Sequence, residues 1–148
     1  MLMKLTFIGA DHEVTGSCHF LEVGDTKVLI DCGMEQGNNP YQNAELPVSY
    51  SDIDYVFLTH AHIDHAGMLP WIYARGFKGQ IITTYATADL CGIMLRDSAH
   101  IQEMEAEWKN RKARRAGNPE VQALYTVNDA EGVLKHFVPC HYGDILTI

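Results

Sequence analysis

The feature that most constrains this chain is a short polar cluster between two apolar segments. Residues 53–58 form an apolar run, and a helix-forming run begins near residue 66. Between them lie His60, His62, Asp64 and His65. Three imidazoles and a carboxylate within six positions cannot spread along one regular element. They share a strand-to-helix turn and face a common space. Neutral imidazole suits zinc and other borderline divalent ions, and a carboxylate adds compensating charge. His60 and His62, two apart in extended backbone, project to one side as a chelating pair. Asp64 and His65 face a second position nearby, the layout of a two-metal site. The alternative, four loop residues with ordinary surface roles, fits poorly with this order of metal-competent side chains directly after an apolar strand.

The rest of the composition excludes several classes. The chain has 148 residues, 47% hydrophobic and 20% charged, the balance of a single globular domain rather than a disordered or fibrous chain. No apolar run is long enough to cross a bilayer, and the N-terminus lacks a signal-peptide pattern, so a cytoplasmic location is expected. Cys18, Cys32, Cys91 and Cys140 are widely spaced and read as reduced thiols rather than a zinc knuckle or disulfide scaffold. A net charge of −8 repels polyanions at long range, so any nucleic-acid role has to be local.

Alternation predicts strands at residues 4–8, 17–23 and 26–30, the last two a hairpin about Gly24 and Asp25. A polar loop over residues 33–51 follows, then strands at 53–58 and 80–83 flanking a helix at 66–74. The longest helix is expected at 88–116, capped by Thr87, stopped by Gly117 and Pro119, and burying a stripe of Leu90, Met94, Ile101, Met104 and Trp108. Thr126 and Asp129 form a capping box for a helix to about residue 136, and strands are expected at 137–138 and 145–148.

The order His60, His62, Asp64, His65 matches the His-x-His-x-Asp-His signature, and the chain resembles the metallo-β-lactamase fold superfamily. Residues 9–18, with Glu13, Val14, Thr15, Gly16 and Ser17, then Asp31, Cys32 and Gly33, Gln36 and Gly37, and the segments 95–103 and 125–142, are similar to its β-CASP branch, RNA-processing nucleases related to the mRNA 3′-end cleavage factor. The resemblance implies an α/β fold: half of an αββα sandwich, a mixed sheet with covering helices. Residues 1–148 would be the N-terminal part of such a domain, without its C-terminal half or the β-CASP insertion.

It also implies roles. His60 and His62 would hold a first Zn2+, Asp64 and His65 a second, and Asp64 would handle a proton of the attacking water. Asp31 would support the ligand turn by hydrogen bonding, unless it is merely a strand-end turn carboxylate. The substrate would be RNA, cut internally or from an end. The superfamily's third His, bridging Asp and final His have no counterpart here. His136 and His141 sit too early to replace them, His100 and His19 are weaker still, and His12 would at most line the rim. An incomplete ligand set predicts weak metal binding and weak or no activity. Two rivals stay open: another hydrolase of the superfamily, acting on a thioester, lactam or small phosphodiester, and a non-catalytic truncated module. An open sheet face would favour self-association. Lys109, Arg111, Lys112, Arg114 and Arg115 either contact RNA phosphates or, as cations favoured at a helix C-terminus, pair with Glu103, Glu105 and Glu107.

Overall fold

The computed structural model describes residues 2–38 and 42–148, so residues 39–41 of the long loop lie outside the described part. Six strands form one mixed sheet in chain order: β1 (Met3–Gly9), β2 (Cys18–Val23), β3 (Thr26–Ile30), β4 (Tyr55–Phe57), β5 (Gln80–Thr84) and β6 (Phe137–Cys140). β1, β2 and β3 pair antiparallel, with the expected hairpin at Gly24 and Asp25, and β3 to β6 pair parallel. Parallel neighbours require crossovers. α1 (Ile63–Ala66) and α2 (Leu69–Ala74) fill the one from β4 to β5; α3 (Tyr85–Ala116) and α4 (Val127–Leu134) fill the one from β5 to β6.

The pairing register lines up Thr6, Phe20, Leu29, Val56, Ile81 and Phe137 as one row across the sheet. From Phe20 onward this row packs with Leu69 and Ile72 of α2, Cys91, Leu95 and Ala99 of α3, and Ala130 and Val133 of α4 in one core. The adjacent row, Phe7, His19, Ile30, Phe57, Ile82 and Val138, faces the other way. On that side Met3, Leu5, Phe7 and Val138 are exposed. The arrangement is a mixed α/β layer with its helices on one face.

Four expectations need correction. Residues 66–74 do not form one helix: α1 ends at Ala66 with Gly67 as its cap, and Pro70 in the first turn of α2, which has no N–H to continue a ladder, starts a new one. Asp64 and His65 therefore stand on a helical turn. The long helix begins at Tyr85, three residues early, because Thr84 rather than Thr87 is the cap and its hydroxyl accepts from Thr87 N–H. The buried stripe is displaced too. Cys91, Leu95 and Ala99 are the residues of α3 that are buried, whereas Leu90, Ile101, Met104 and Trp108 are about half exposed and only Met94 of the expected set joins the core. Close packing favours small residues, and a helix of 32 residues, about 48 Å long, overruns strands of about 17 Å. Its bulky distal residues have no sheet beneath them. Finally, residues 145–148 form no strand and pair with none of the described residues. Gly117, at φ 70°, ends α3 as expected, and the Thr126 and Asp129 capping box is present in full, over a shorter helix.

Candidate functional site

The chain leaves β4 at the carboxyl edge of the parallel strands. Leu58 is fixed to β5 there, donating N–H to Ile82 O at 3.0 Å and accepting from Thr83 Oγ1 at 2.8 Å. The next residues turn over the edge, with Ala61 buried as the anchor and His62 as the extended residue that opens α1. This brings the His60 and His62 rings to 4.7 Å and the His60 and His65 rings to 4.0 Å between centroids. Asp64 Oδ2 lies 3.7 Å from His65 Nε2.

Asp31 is the hub beneath them. It is 3% exposed and sits at φ 60°, a left-handed conformation that Asp tolerates better than most residues. Its carboxylate accepts from Thr59 N at 2.8 Å, Thr59 Oγ1 at 2.9 Å, Ser17 Oγ at 3.1 Å and His65 Nδ1 at 2.7 Å. A carboxylate only accepts, so His65 carries its proton on Nδ1 and presents the Nε2 lone pair. The same reasoning extends to His60. The one hydroxyl proton of Thr59 goes to Asp31, so Thr59 Oγ1, 3.0 Å from His60 Nδ1, accepts from it. His60 then also presents Nε2. Partial burial, then the neighbouring His65 and His62, push the His60 imidazole below its ordinary pKa and favour the neutral ring.

Two further segments hold the turn by their backbone. Met34 N–H donates to Ile63 O at 3.0 Å, Ser17 N–H to Asp64 O at 2.9 Å and Cys32 N–H to His65 O at 2.8 Å. Three carbonyls of this four-residue helix are thus bonded by two neighbouring segments, the residue before β2 and the residues after β3. Gly33 makes this approach possible, since a Cβ there would collide with the Asp64 carbonyl. Ser17, Thr59 and these N–H groups were not singled out in the sequence. Their signal was adjacency: Ser17 closes the Glu13-to-Ser17 segment and Thr59 precedes the first His.

The donor set fits a divalent ion in its chemistry: two imidazoles with Nε2 available, a third beside them, and a carboxylate 18% exposed in its side chain. As a cage it is partial. Among the described residues no three His, Cys, Asp or Glu side chains converge on one ion position. The remaining imidazoles stand apart. His136 Nδ1 bonds Gly79 O at 2.9 Å, His19 packs edge-on against Phe7, His100 is exposed on α3, and exposed His12 is near Asp11. His141 lies over Tyr85. The basic run is remote: Lys109 is 24 residues down α3 from Tyr85, about 36 Å at 1.5 Å per residue. There Lys109 meets Glu105, Arg111 meets Glu107, Arg114 meets Glu120 and Lys112 covers the Trp108 ring. No helix is long and apolar enough to cross a membrane among the described residues.

Comparison with known proteins agrees with this architecture. The chain is 34% identical over 147 residues to Ribonuclease TTHA0252 of Thermus thermophilus, covering 99% of itself and 30% of that protein. It is 31% identical to the Transcription termination factor FttA of Methanocaldococcus jannaschii and 32% to the Probable RNase MJ4 of the same organism, covering 95% and 96% of itself, and 20% and 30% of those proteins. It thus spans about a third or less of these relatives. Residues 13–144 match the family model described as the metallo-beta-lactamase superfamily, a stretch that holds the Asp31 hub and the whole His60 turn, and the chain belongs to that family.

Proposed function

We propose that this chain is the N-terminal part of the catalytic domain of a zinc-dependent hydrolase acting on RNA phosphodiester bonds in the cytoplasm. The observation that carries the reading is the Asp31 network, which fixes two imidazoles in the tautomer a metal requires. The names of the relatives support RNA as the substrate class.

In this reading His60 and His62 would hold one zinc, and Asp64 and His65 the other. Bound there, the ions supply Lewis-acid charge at the phosphate and make water acidic enough to attack at neutral pH. The residues of the chain do the rest. Asp64 would take up a proton from the attacking water. Asp31 holds the Nδ1 proton of His65 and, through Thr59, orients His60. The capped turn of α1 keeps these groups from drifting as charge develops. The open sheet face offers a surface for self-association. Because the ligand set is partial and the chain spans at most 30% of these relatives, a second reading, a module that holds metal weakly and turns over nothing alone, is favoured for the isolated 148 residues.

The test is zinc binding by calorimetry together with cleavage of an end-labelled RNA, comparing the wild type with His60→Ala and His62→Ala. The hydrolase reading expects zinc uptake that each substitution weakens at least tenfold, with any cleavage lost in parallel. Zinc uptake unaffected by both substitutions would remove it.

A further inference from the structure

The carboxyl edge of the sheet carries a second group of side chains beside the His60 turn. Thr84, the last residue of β5, pairs with Cys140, the last of β6. Tyr85 and His141, one step beyond each, therefore leave the sheet side by side. Their rings lie 4.6 Å apart between centroids, tilted by 32°. Both are held from below. Tyr85 is the first residue of α3, directly after the Thr84 cap. His141 donates its backbone N–H to Asp144 Oδ2 at 2.8 Å, and Cys140 Sγ donates to Thr83 O at 3.4 Å. The pair is open to solvent in the described residues: Tyr85 is 49% exposed, His141 is exposed, and the adjacent Tyr142 is 94% exposed.

β4, β5 and β6 are successive neighbours, so at about 4.8 Å per strand Tyr85 lies about 5 Å and His141 about 10 Å along the edge from the end of β4 and its His60 turn. That is the reach of one or two nucleotides of an extended strand. The charge distribution sharpens the point. With a net charge of −8 and the clustered cations about 36 Å down α3, the edge gains little from phosphate attraction. A single strand placed here needs affinity from its bases, and stacking on Tyr and His faces supplies it whatever the base sequence.

We infer that Tyr85 and His141 form a nucleobase-stacking subsite, taking a base one or two nucleotides from the phosphodiester held at the His60 turn. The inference rests on the RNA-hydrolase reading for its ligand class. The test has two arms on the 148-residue chain. In the first, ring-proton shifts of Tyr85 and His141 are followed by NMR during addition of adenosine monophosphate or ribose 5-phosphate. The subsite predicts upfield ring-current shifts with the nucleotide and none with the sugar phosphate. In the second, affinity is measured for hexa-adenylate RNA and for the same strand with one abasic position, using the wild type, Tyr85→Ala and Tyr85→Phe. Tyr85→Ala is expected to weaken binding about tenfold and Tyr85→Phe to retain it. The abasic step that weakens wild-type binding should cost Tyr85→Ala nothing further.

Equal shifts with nucleotide and sugar phosphate, or losses from Tyr85→Ala and the abasic step that simply add, would overturn the subsite. Binding of the RNA with unmoved Tyr85 and His141 resonances sinks the subsite and leaves the hydrolase reading standing. Nucleotide-induced ring shifts in a chain whose zinc uptake is unaffected by His60→Ala and His62→Ala support the subsite and remove the hydrolase reading.

Discussion

Replacing Asp31 by Asn removes one charge and leaves the shape unchanged, so it isolates the hub. Four donors converge on the carboxylate: Thr59 N, Thr59 Oγ1, Ser17 Oγ and His65 Nδ1. An amide has one accepting oxygen and one donating nitrogen. The backbone N–H of Thr59, 2.8 Å from Oδ1, can neither rotate nor lose its proton, so the amide oxygen has to stay there. The NH2 group then takes the Oδ2 place, facing Ser17 Oγ and His65 Nδ1. The Ser17 hydroxyl turns round to accept. His65 satisfies the new donor by moving its proton from Nδ1 to Nε2, the atom a metal would use. All four charge-assisted hydrogen bonds, each contributing about 1.5–3 kcal/mol, become neutral ones, two of them with the donor reversed, and a net loss of about 2 kcal/mol or more is expected. Zinc affinity should fall by about 10- to 100-fold. Urea unfolding at pH 7 reads the stability, and long-range 1H–15N spectra read the tautomer. A variant within about 0.5 kcal/mol of wild type whose His65 still carries its proton on Nδ1 would refute the argument.

Other substitutions test other links. Gly33→Ala puts a Cβ into the Asp64 carbonyl, so unfolding experiments should show a loss of about 2 kcal/mol or more, with weakened zinc binding in calorimetry. Leu95→Ala, in the buried stripe of α3, should cost about 2–5 kcal/mol in urea, while Met104→Ala, 56% exposed, should stay within about 0.5 kcal/mol; equal losses would show that the stripe has been misplaced. Burial pushes the Cys91 thiol up to about 12. Its unfolded counterpart ionises near 9, so in reducing buffer the thiol's contribution is fully present below pH 9 and is lost as pH rises from there towards 12. Cys91→Ala should flatten the alkaline stability curve relative to wild type; parallel curves would contradict this.

The parts of the fold visible in the sequence were those written in local patterns. Alternation marked β1, β2 and β3, and Gly24 with Asp25 marked their hairpin. Thr126 and Asp129 announced α4 because a capping box is a contact between neighbours in sequence. The order of His60, His62, Asp64 and His65 marked the candidate site because a crowded turn after an apolar strand has few other uses. What stayed hidden depended on distant partners. Which side of α3 is buried was decided by the space above β5 and β6, where Cys91 and Ala99 fit better than the larger Leu90 or Ile101. That Asp64 and His65 stand on a helical turn depends on N–H groups of Ser17, Cys32 and Met34, more than 28 residues upstream. The tautomers of His60 and His65 likewise follow from Thr59 and Asp31 together, a relation that exists only once β3 and β4 lie side by side.

The most direct measurement of the central claim is a zinc titration of the chain followed by long-range 1H–15N correlations of its histidine rings. His60 and His65 should keep their protons on Nδ1 throughout, and zinc should shift their Nε2 signals, while His19, His100 and His136 do not move. Zinc that shifts those other histidines instead, or leaves the Nε2 atoms of His60 and His65 unchanged, would contradict it.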